Sequence, residues 1–343
     1  MYLSFFLYVF FILLLTFLLY FFSKKKNIFS DQNFLKPQSI HHKSIPNILG
    51  LTFVFTPILF LFERWDYNLY LVYLASIAIS IIGFIDDNNY KISPKVRLLI
   101  QSIILSLFLY LNDFFLIKNF SFFNNYFNFE IFYFFITLCL LLALINAINF
   151  IDGQNGLVII YIIGIVIFYT NISQSHFFIP IIYLLLHLLV LLLFNFPVSK
   201  CFLGDGGCYF LAVFLGLIFL SDNNLIIDHN HSKWLIANLL AYPVAETSIS
   251  IIRRLINKKS PFYPDNLHIH SLIYKLIISK INNNYSNALT TTFTLFIVMT
   301  LLMMIKIFNF TGTNLLYYFV FQQIFFVFLY FVIFKLQKES KFK

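Results

Sequence analysis

The sequence predicts an all-α protein, a polytopic membrane bundle of about eleven transmembrane helices with its N-terminus outside and its C-terminus in the cytoplasm. Three observations carry that prediction. Hydrophobic residues make up 60% of the chain, with 48 Phe and 21 Tyr and a mean hydropathy of +0.86, more apolar surface than a soluble domain of 343 residues needs. The apolar residues come in repeated runs near the ~20 residues required to cross a hydrocarbon core of ~30 Å. Only 11% of residues are charged, and their basic members sort between alternate loops.

Residues 3–22 form the first run and are followed by Lys24, Lys25 and Lys26. A cleaved secretory signal begins with positive charge and ends in a small-residue cleavage site, so this run reads as a retained span ending inside. Further spans fall near 47–62, 69–85, 96–111, 131–150, 157–170, 177–196, 208–220, 234–252, 287–308 and 315–334. With the N-terminus outside, every Lys and Arg except Arg64, Lys118, Lys233 and Lys306 lies in an inside loop or tail, which sets the orientation by the positive-inside rule. The net charge of +9 is therefore a matter of topology, and no nucleic-acid partner is expected. Cys139, Cys201 and Cys208 form neither a CxxC pair nor a disulfide framework and read as structural. Residues 1–343 read as one integral-membrane domain.

Four polar loops, near 86–97, 149–156, 195–208 and 253–286, share the inside face. Asp86 and Asp87 stand where an apolar span ends, with Lys91, Lys95 and Arg97 beyond them; a doubled carboxylate at a membrane edge is costly unless it has work to do. In NAINFIDGQNGL, Asn146, Asn149 and Asp152 recur every three residues and share a face of a helix end. Gly153 and Gly156 then permit a tight turn and close approach to a ligand. In FNFPVSKCFLGDGGC, Asp205 sits among glycines whose backbone can fold around phosphate, with Lys200 nearby; alone, this is also ordinary turn chemistry. The loop after the ninth span holds Lys258 and Lys259, which suit anionic headgroups. His268 and His270, beside Asp265, point to one face of an extended segment and could donate to a diphosphate or bind a metal.

Carboxylate oxygens suit Mg²⁺, which keeps waters and bridges substrate phosphates, whereas Zn²⁺ prefers a richer His and Cys shell. The implied chemistry is phosphoryl transfer between a cytosolic diphosphate donor and a molecule in the bilayer.

In order along the chain, these motifs resemble those of the polyprenyl-phosphate N-acetylhexosamine-1-phosphate transferases: a worn N-terminal loop from Gln38 to Gly50, then the DD, N-x-x-N-F-x-D-G, F-x-G-D and H-x-H loops. Ser-Pro-Lys-Val-Arg after the aspartates, Ser-Pro-Phe before the histidines and the single H-x-H segment place it nearer the WecA/TagO branch than MraY. The resemblance implies transfer of a sugar-1-phosphate, by default N-acetylglucosamine-1-phosphate, from a UDP-sugar to undecaprenyl phosphate with release of UMP. It implies an enzyme of the bacterial cytoplasmic membrane, facing the cytoplasm, that begins a lipid-linked envelope glycan, uses Mg²⁺ or Mn²⁺, contacts membrane lipids and is compatible with a homodimer.

Carried over by position, the catalytic set is Asp86, Asp87, Asp152, His268 and His270, one of the paired aspartates deprotonating the lipid phosphate. Asp205, with Asp87, would hold the metal; Asn149, Asn155, Asn195, Phe202, Lys95 and Arg97 would bind substrate, with Asn195 and Phe202 on the uridine. The chain departs from the family pattern at Asn155 and Cys208, where Asp and Ser are usual, at Ser271, where a third His is common, and at Ile48-Leu49-Gly50, a reduced Gly-rich stretch. The rival readings are a multi-span transporter or channel, whose sites tend to lie near the bilayer midplane, and an inactive relative serving as a membrane scaffold.

Overall fold

The computed structural model describes residues 2–26, 29, 45–61, 66–88, 92–117, 130–172, 177–225, 233–261, 266–281 and 285–340. Arg64, Lys91, Lys118, Asp265 and the stretch from Gln38 to residue 44, all singled out in the sequence, lie outside these. The described residues form helices α1 (Tyr2–Lys26), α2 (Tyr67–Asp87), α3 (Pro94–Leu111), α4 (Glu130–Ile151), α5 (Leu157–Ile172) and α6 (Phe178–Asn195). They continue with α7 (Gly204–Leu225), α8 (Lys233–Leu239), α9 (Ala241–Ile256), α10 (Ile269–Ile278), α11 (Ser286–Ile307) and α12 (Thr313–Ser340). A 3₁₀ segment, Leu49–Leu61, precedes α2. Among the described residues there is no strand, only an isolated parallel bridge between Asn47 and Phe202. The chain is an all-α, multi-pass membrane protein.

Eight of the described helices are long and apolar enough to cross a membrane: α1, α2, α3, α4, α6, α7, α11 and α12. These match eight of the eleven expected spans. The expected span 47–62 is the 3₁₀ segment, where the Thr52 and Thr56 hydroxyls donate to carbonyls three residues back, and 157–170 is the shorter helix α5. The run 234–252 is two helices. Pro243 has no N–H, and its ring excludes the carbonyl four residues back, so α8 stops at Leu239. The freed Leu239 carbonyl accepts instead from the Tyr161 hydroxyl at 2.5 Å, and the Ala241 carbonyl accepts from Gln323 Nε2 at 3.1 Å. A break inside an apolar span is thus satisfied by side chains, as a medium without water requires.

Helix α7 is the central element and packs most extensively on α2, with α4 and the 3₁₀ segment also against it. Helices α1, α3 and α12 form the flanks, exposing rows such as Phe6, Phe10 and Phe17, Leu99, Ile103 and Leu107, and Phe321, Phe328 and Phe331, as expected of surfaces that meet lipid. Inside, Phe53, Phe210 and Phe214 stack. Buried His187 bridges the Tyr8 and Thr52 hydroxyls, each at 2.7 Å, tying α1 and the 3₁₀ segment to α6.

The contact that positions the site is made without side chains. A Cβ at Gly83 of α2 would meet the backbone of Asp205 and Gly206, and one at Gly50 would meet that of Gly207. Glycines on both sides let α2 and the 3₁₀ segment reach the first turn of α7 backbone to backbone. Residues 46–50 extend this contact: Phe202 N donates to the Pro46 carbonyl, Leu49 N to that of Phe202 and Gly50 N to that of Leu203, at 2.9, 3.1 and 3.0 Å.

Candidate active site

The close approach of α2 to α7 brings the end of one helix to the start of the other. Asp87, the last residue of α2, accepts from the backbone N–H groups of Asp205 and Gly206, each at 3.2 Å, and from Asn47 Nδ2 at 3.2 Å. The first N–H groups of a helix lack partners within it and carry the positive end of its dipole, so a carboxylate there is doubly favoured. Gly204, at φ 75°, turns the chain into α7, and a Cβ there would press on the Asp87 carboxylate.

Asp86 faces the other way. Its Oδ2 accepts from Arg97 Nη1 at 2.7 Å and its Oδ1 from Ile92 N at 3.2 Å. Arg97 is placed by the start of α3, where Pro94 occupies the first turn and the Ser93 hydroxyl caps Val96 N. The same Nη1 lies 3.2 Å from Asp205 Oδ2. Asp205 Oδ1 accepts from Asn149 Nδ2 at 2.7 Å, and the Tyr209 hydroxyl reaches Oδ2 at 3.4 Å. Two half-buried carboxylates thus share one guanidinium, and a third, Asp87, adjoins them through the backbone of Asp205, an excess of negative charge suited to a divalent cation.

Asp152 follows the end of α4, one helical turn beyond Asn149. Its Oδ2 accepts from the Cys208 thiol at 3.3 Å. Burial pushes the Asp152 carboxyl up to about 7, opposed by the thiol hydrogen bond and reinforced by the charge of Asp205.

The histidines arrive from the other side. His268 precedes α10 and His270 lies in its first turn, their rings 5.4 Å apart and nearly parallel at 6°. The His270 ring abuts Gly153, where a Cβ would lie 2.5 Å from Nε2, and His268 packs near Phe150. Both rings present Nδ1 to buried Glu246 of α9, at 3.3 Å for His268 and 3.1 Å for His270. The Tyr242 hydroxyl donates to Glu246 Oε1 at 3.0 Å, and the Ile269 and His270 N–H groups also reach the carboxylate. Burial lowers the His270 imidazole below its usual value, with Glu246 pulling the other way.

The structure therefore joins Asp86, Asp87, Arg97, Asn149 and Asp205 by direct hydrogen bonds, and sets Asp152, His268 and His270 beside them. Asn155 and Asn195 join neighbouring loops. Asn195 Oδ1 accepts from Gly156 N at 2.5 Å and its Nδ2 donates to the Cys201 carbonyl at 2.8 Å. Asn155 donates to the Pro197 carbonyl at 3.0 Å, while its backbone binds the Asn287 and Thr291 side chains. Both amides tie the 152–156 turn to the 195–203 loop. Phe202 is half-buried in the backbone pairing with residues 46–49, and Lys95 is exposed at the start of α3.

Sequence reasoning missed Glu246, Asn47 and Tyr209. Only Glu246 left a signal: it is the one charged residue in the apolar run 234–252, and an ionisable group there is costly without partners.

The fold and this site define a polytopic helical membrane protein with a carboxylate-rich polar centre at one end of its bundle. The family model of glycosyl transferase family 4 matches residues 69–222. It is 28% identical over 248 residues to a probable undecaprenyl-phosphate N-acetylglucosaminyl 1-phosphate transferase of Bacillus subtilis, covering 68% of this chain and 66% of the relative. It is 28% identical over 270 residues to the undecaprenyl-phosphate alpha-N-acetylglucosaminyl 1-phosphate transferase of Escherichia coli K12, covering 74% and 71%. It is also 28% identical over 304 residues to the phospho-N-acetylmuramoyl-pentapeptide-transferase of Sulfurimonas denitrificans, covering 78% and 84%.

Proposed function

We propose that this chain transfers N-acetylhexosamine-1-phosphate, by default N-acetylglucosamine-1-phosphate, from a UDP-sugar to undecaprenyl phosphate and releases UMP. The observation that carries this reading is the sharing of Arg97 by Asp86 and Asp205, with Asp87 on the backbone of Asp205, where the ends of apolar helices meet and two histidines adjoin. The names of the relatives support the donor and acceptor classes. In the reaction, an oxygen of the lipid phosphate forms a bond to the phosphorus that bears the sugar, and the bond from that phosphorus to the UMP oxygen breaks. The products are UMP and a lipid-linked sugar diphosphate.

Each residue has a task that its surroundings suit. Asp86, held by Arg97, takes the proton of an incoming lipid phosphate. Arg97 offers its guanidinium to phosphate oxygens once substrate displaces part of its carboxylate pairing. Asn149 and Asp152 border the donor diphosphate, and His268 and His270 contact its oxygens. Lys95 adds positive charge at the entrance. Positioning of the two phosphates supplies most of the rate.

A divalent cation fits this donor set. Mg²⁺ takes one or two carboxylates and completes its shell with water and substrate phosphate. Among the described residues no three His, Cys, Asp or Glu side chains converge to chelate an ion by themselves, which suits that mode better than a Zn²⁺ cage. Asp205 and Asp87 would hold Mg²⁺, or Mn²⁺ in its place, and the ion would neutralise charge developing on the phosphates. The lysine distribution supports a site on the cytoplasmic face of the bacterial inner membrane.

The test is direct. Purified chain supplied with UDP-N-acetylglucosamine, undecaprenyl phosphate and Mg²⁺ should release UMP and form a sugar-bearing lipid diphosphate. Absence of UMP release across a panel of UDP-N-acetylhexosamines, with folding verified, overturns the reading.

A further inference from the structure

One carboxylate that the reaction does not use directly holds both histidines. Glu246 is 1% exposed, carries the only charge in the run 234–252, and engages both rings at Nδ1, two backbone N–H groups and the Tyr242 hydroxyl. Such density around one buried carboxylate fixes what it touches. With Nδ1 of each imidazole committed to Glu246, Nε2 is left on the opposite edge of the ring. For His270 that edge meets Gly153, in the turn that also carries Asp152, and among the described residues His270 Nε2 has no hydrogen-bond partner.

We propose that Glu246 is the positioning residue of this site, holding His268 and His270 as parallel Nδ1–H imidazoles whose Nε2 edges face the donor diphosphate. This rests on the transferase reading and names the device that reads the donor. A carboxylate behind an imidazole sets its tautomer and orientation and favours the protonated ring when an anion engages the other nitrogen. Glu246 does so for two rings at once, with Tyr242 Oη and Ser250 Oγ holding the edges of the assembly: the first reaches His270 Nδ1 at 3.3 Å and the second His268 Nδ1 at 3.2 Å. The pair is therefore held as a unit to bracket oxygens of a diphosphate, and Gly153 is required because any side chain there would push His270 away.

The test uses the full chain in lipid nanodiscs with ¹⁵N-labelled histidine. His268→Ala and His270→Ala assign the ring signals, which in the native chain should report Nδ1–H tautomers for both. Glu246→Gln should mix the tautomers and raise KM for the UDP-sugar by about 10–100-fold, the loss typical when the partner behind a working imidazole is removed. KM for undecaprenyl phosphate should stay within about twofold of native, and Glu246→Asp should recover part of the donor affinity. If Glu246→Gln fails to fold, Tyr242→Phe, which withdraws one hydroxyl, should still shift the His270 signals and raise donor KM severalfold. Native ring signals and native donor KM in a folded Glu246→Gln, or in Tyr242→Phe where that variant serves instead, overturn the proposal. Ring signals that change in Glu246→Gln while even the native chain releases no UMP uphold the positioning role and overturn the transferase reading alone.

Discussion

Asp87 caps the helix on which Asp205 rides. Its two oxygens accept from the first free N–H groups of α7, those of Asp205 itself and Gly206. The second member of the aspartate pair is thereby a structural partner of the third carboxylate, while Asp86 is the member left to Arg97.

This division separates the effects of substitution. Asp87→Ala removes three hydrogen bonds and a charge at a helix N-terminus, and should cost about 1–3 kcal/mol of stability as well as activity. Asp205→Asn keeps the helix start and should abolish UMP release with little change in thermal unfolding. Equal melting temperatures for the two variants would show that the cap is unimportant.

Gly83→Ala places a methyl group against the backbone of Asp205 and Gly206, which has no rotamer with which to yield. Overpacking of this kind costs about 1–3 kcal/mol, and here it also parts Asp87 from α7. The variant should insert normally in membranes, melt earlier and lose most activity; native activity would mean that the two helices separate without disturbing the carboxylates.

The Asp152 carboxyl titrates near neutrality. Its folded value of about 7 lies above the ordinary 3.8, so between those values the folded chain holds a proton that the unfolded chain has lost. The stabilising contribution is complete below the lower value and is lost as pH rises through about 7. If the ionised form works, kcat/KM rises with pH and levels off above about 7. Asp152→Asn should lack that limb, and Cys208→Ser, a better hydrogen-bond donor, should move it to lower pH. A pH–rate profile identical in all three forms would exclude Asp152 from the titration.

Asn155→Asp tests why this chain has an amide where the family pattern has an acid. The carboxylate could not donate to the Pro197 carbonyl and would leave that acceptor facing a buried negative charge. A loss of about 1–3 kcal/mol is expected, read by thermal unfolding, with weaker donor binding as the 152–156 turn loosens. A variant as stable as the native chain would show that the hydrogen bond to Pro197 contributes nothing net.

Chelation should stop UMP release and added Mg²⁺ should restore it, with Asp87→Asn requiring at least about tenfold more Mg²⁺ than the native chain if both aspartates attend the ion. Release that continues in excess chelator would refute a role for the metal.

The helices were legible because apolar runs announce themselves, and the polar loops because charge is rare in this chain. Asp86, Arg97, Asn149 and Asp205 could be named individually, though nothing local shows that Asp205 bonds to Asn149 and Arg97, 56 and 108 residues away. The break after Leu239 was signalled by Pro243, yet its consequence depends on Tyr161, far away in sequence. Asn155 and Asn195 stand among the expected substrate contacts through their positions in the family pattern. Their hydrogen bonds to Pro197, Cys201 and Gly156 are tertiary, and no spacing rule encodes them. Glu246 was visible as a lone charge, but its meaning required the histidines to be folded back on it.

The glycine contacts at the head of α7 bear also on the energetics of turnover. Because Gly50 and Gly83 bring backbone to backbone, the charges around Arg97 are held by main chain packed on main chain. Little of the site then needs to rearrange when phosphates arrive, so the reorganisation that water would impose at each turnover is settled once, when the helices pack.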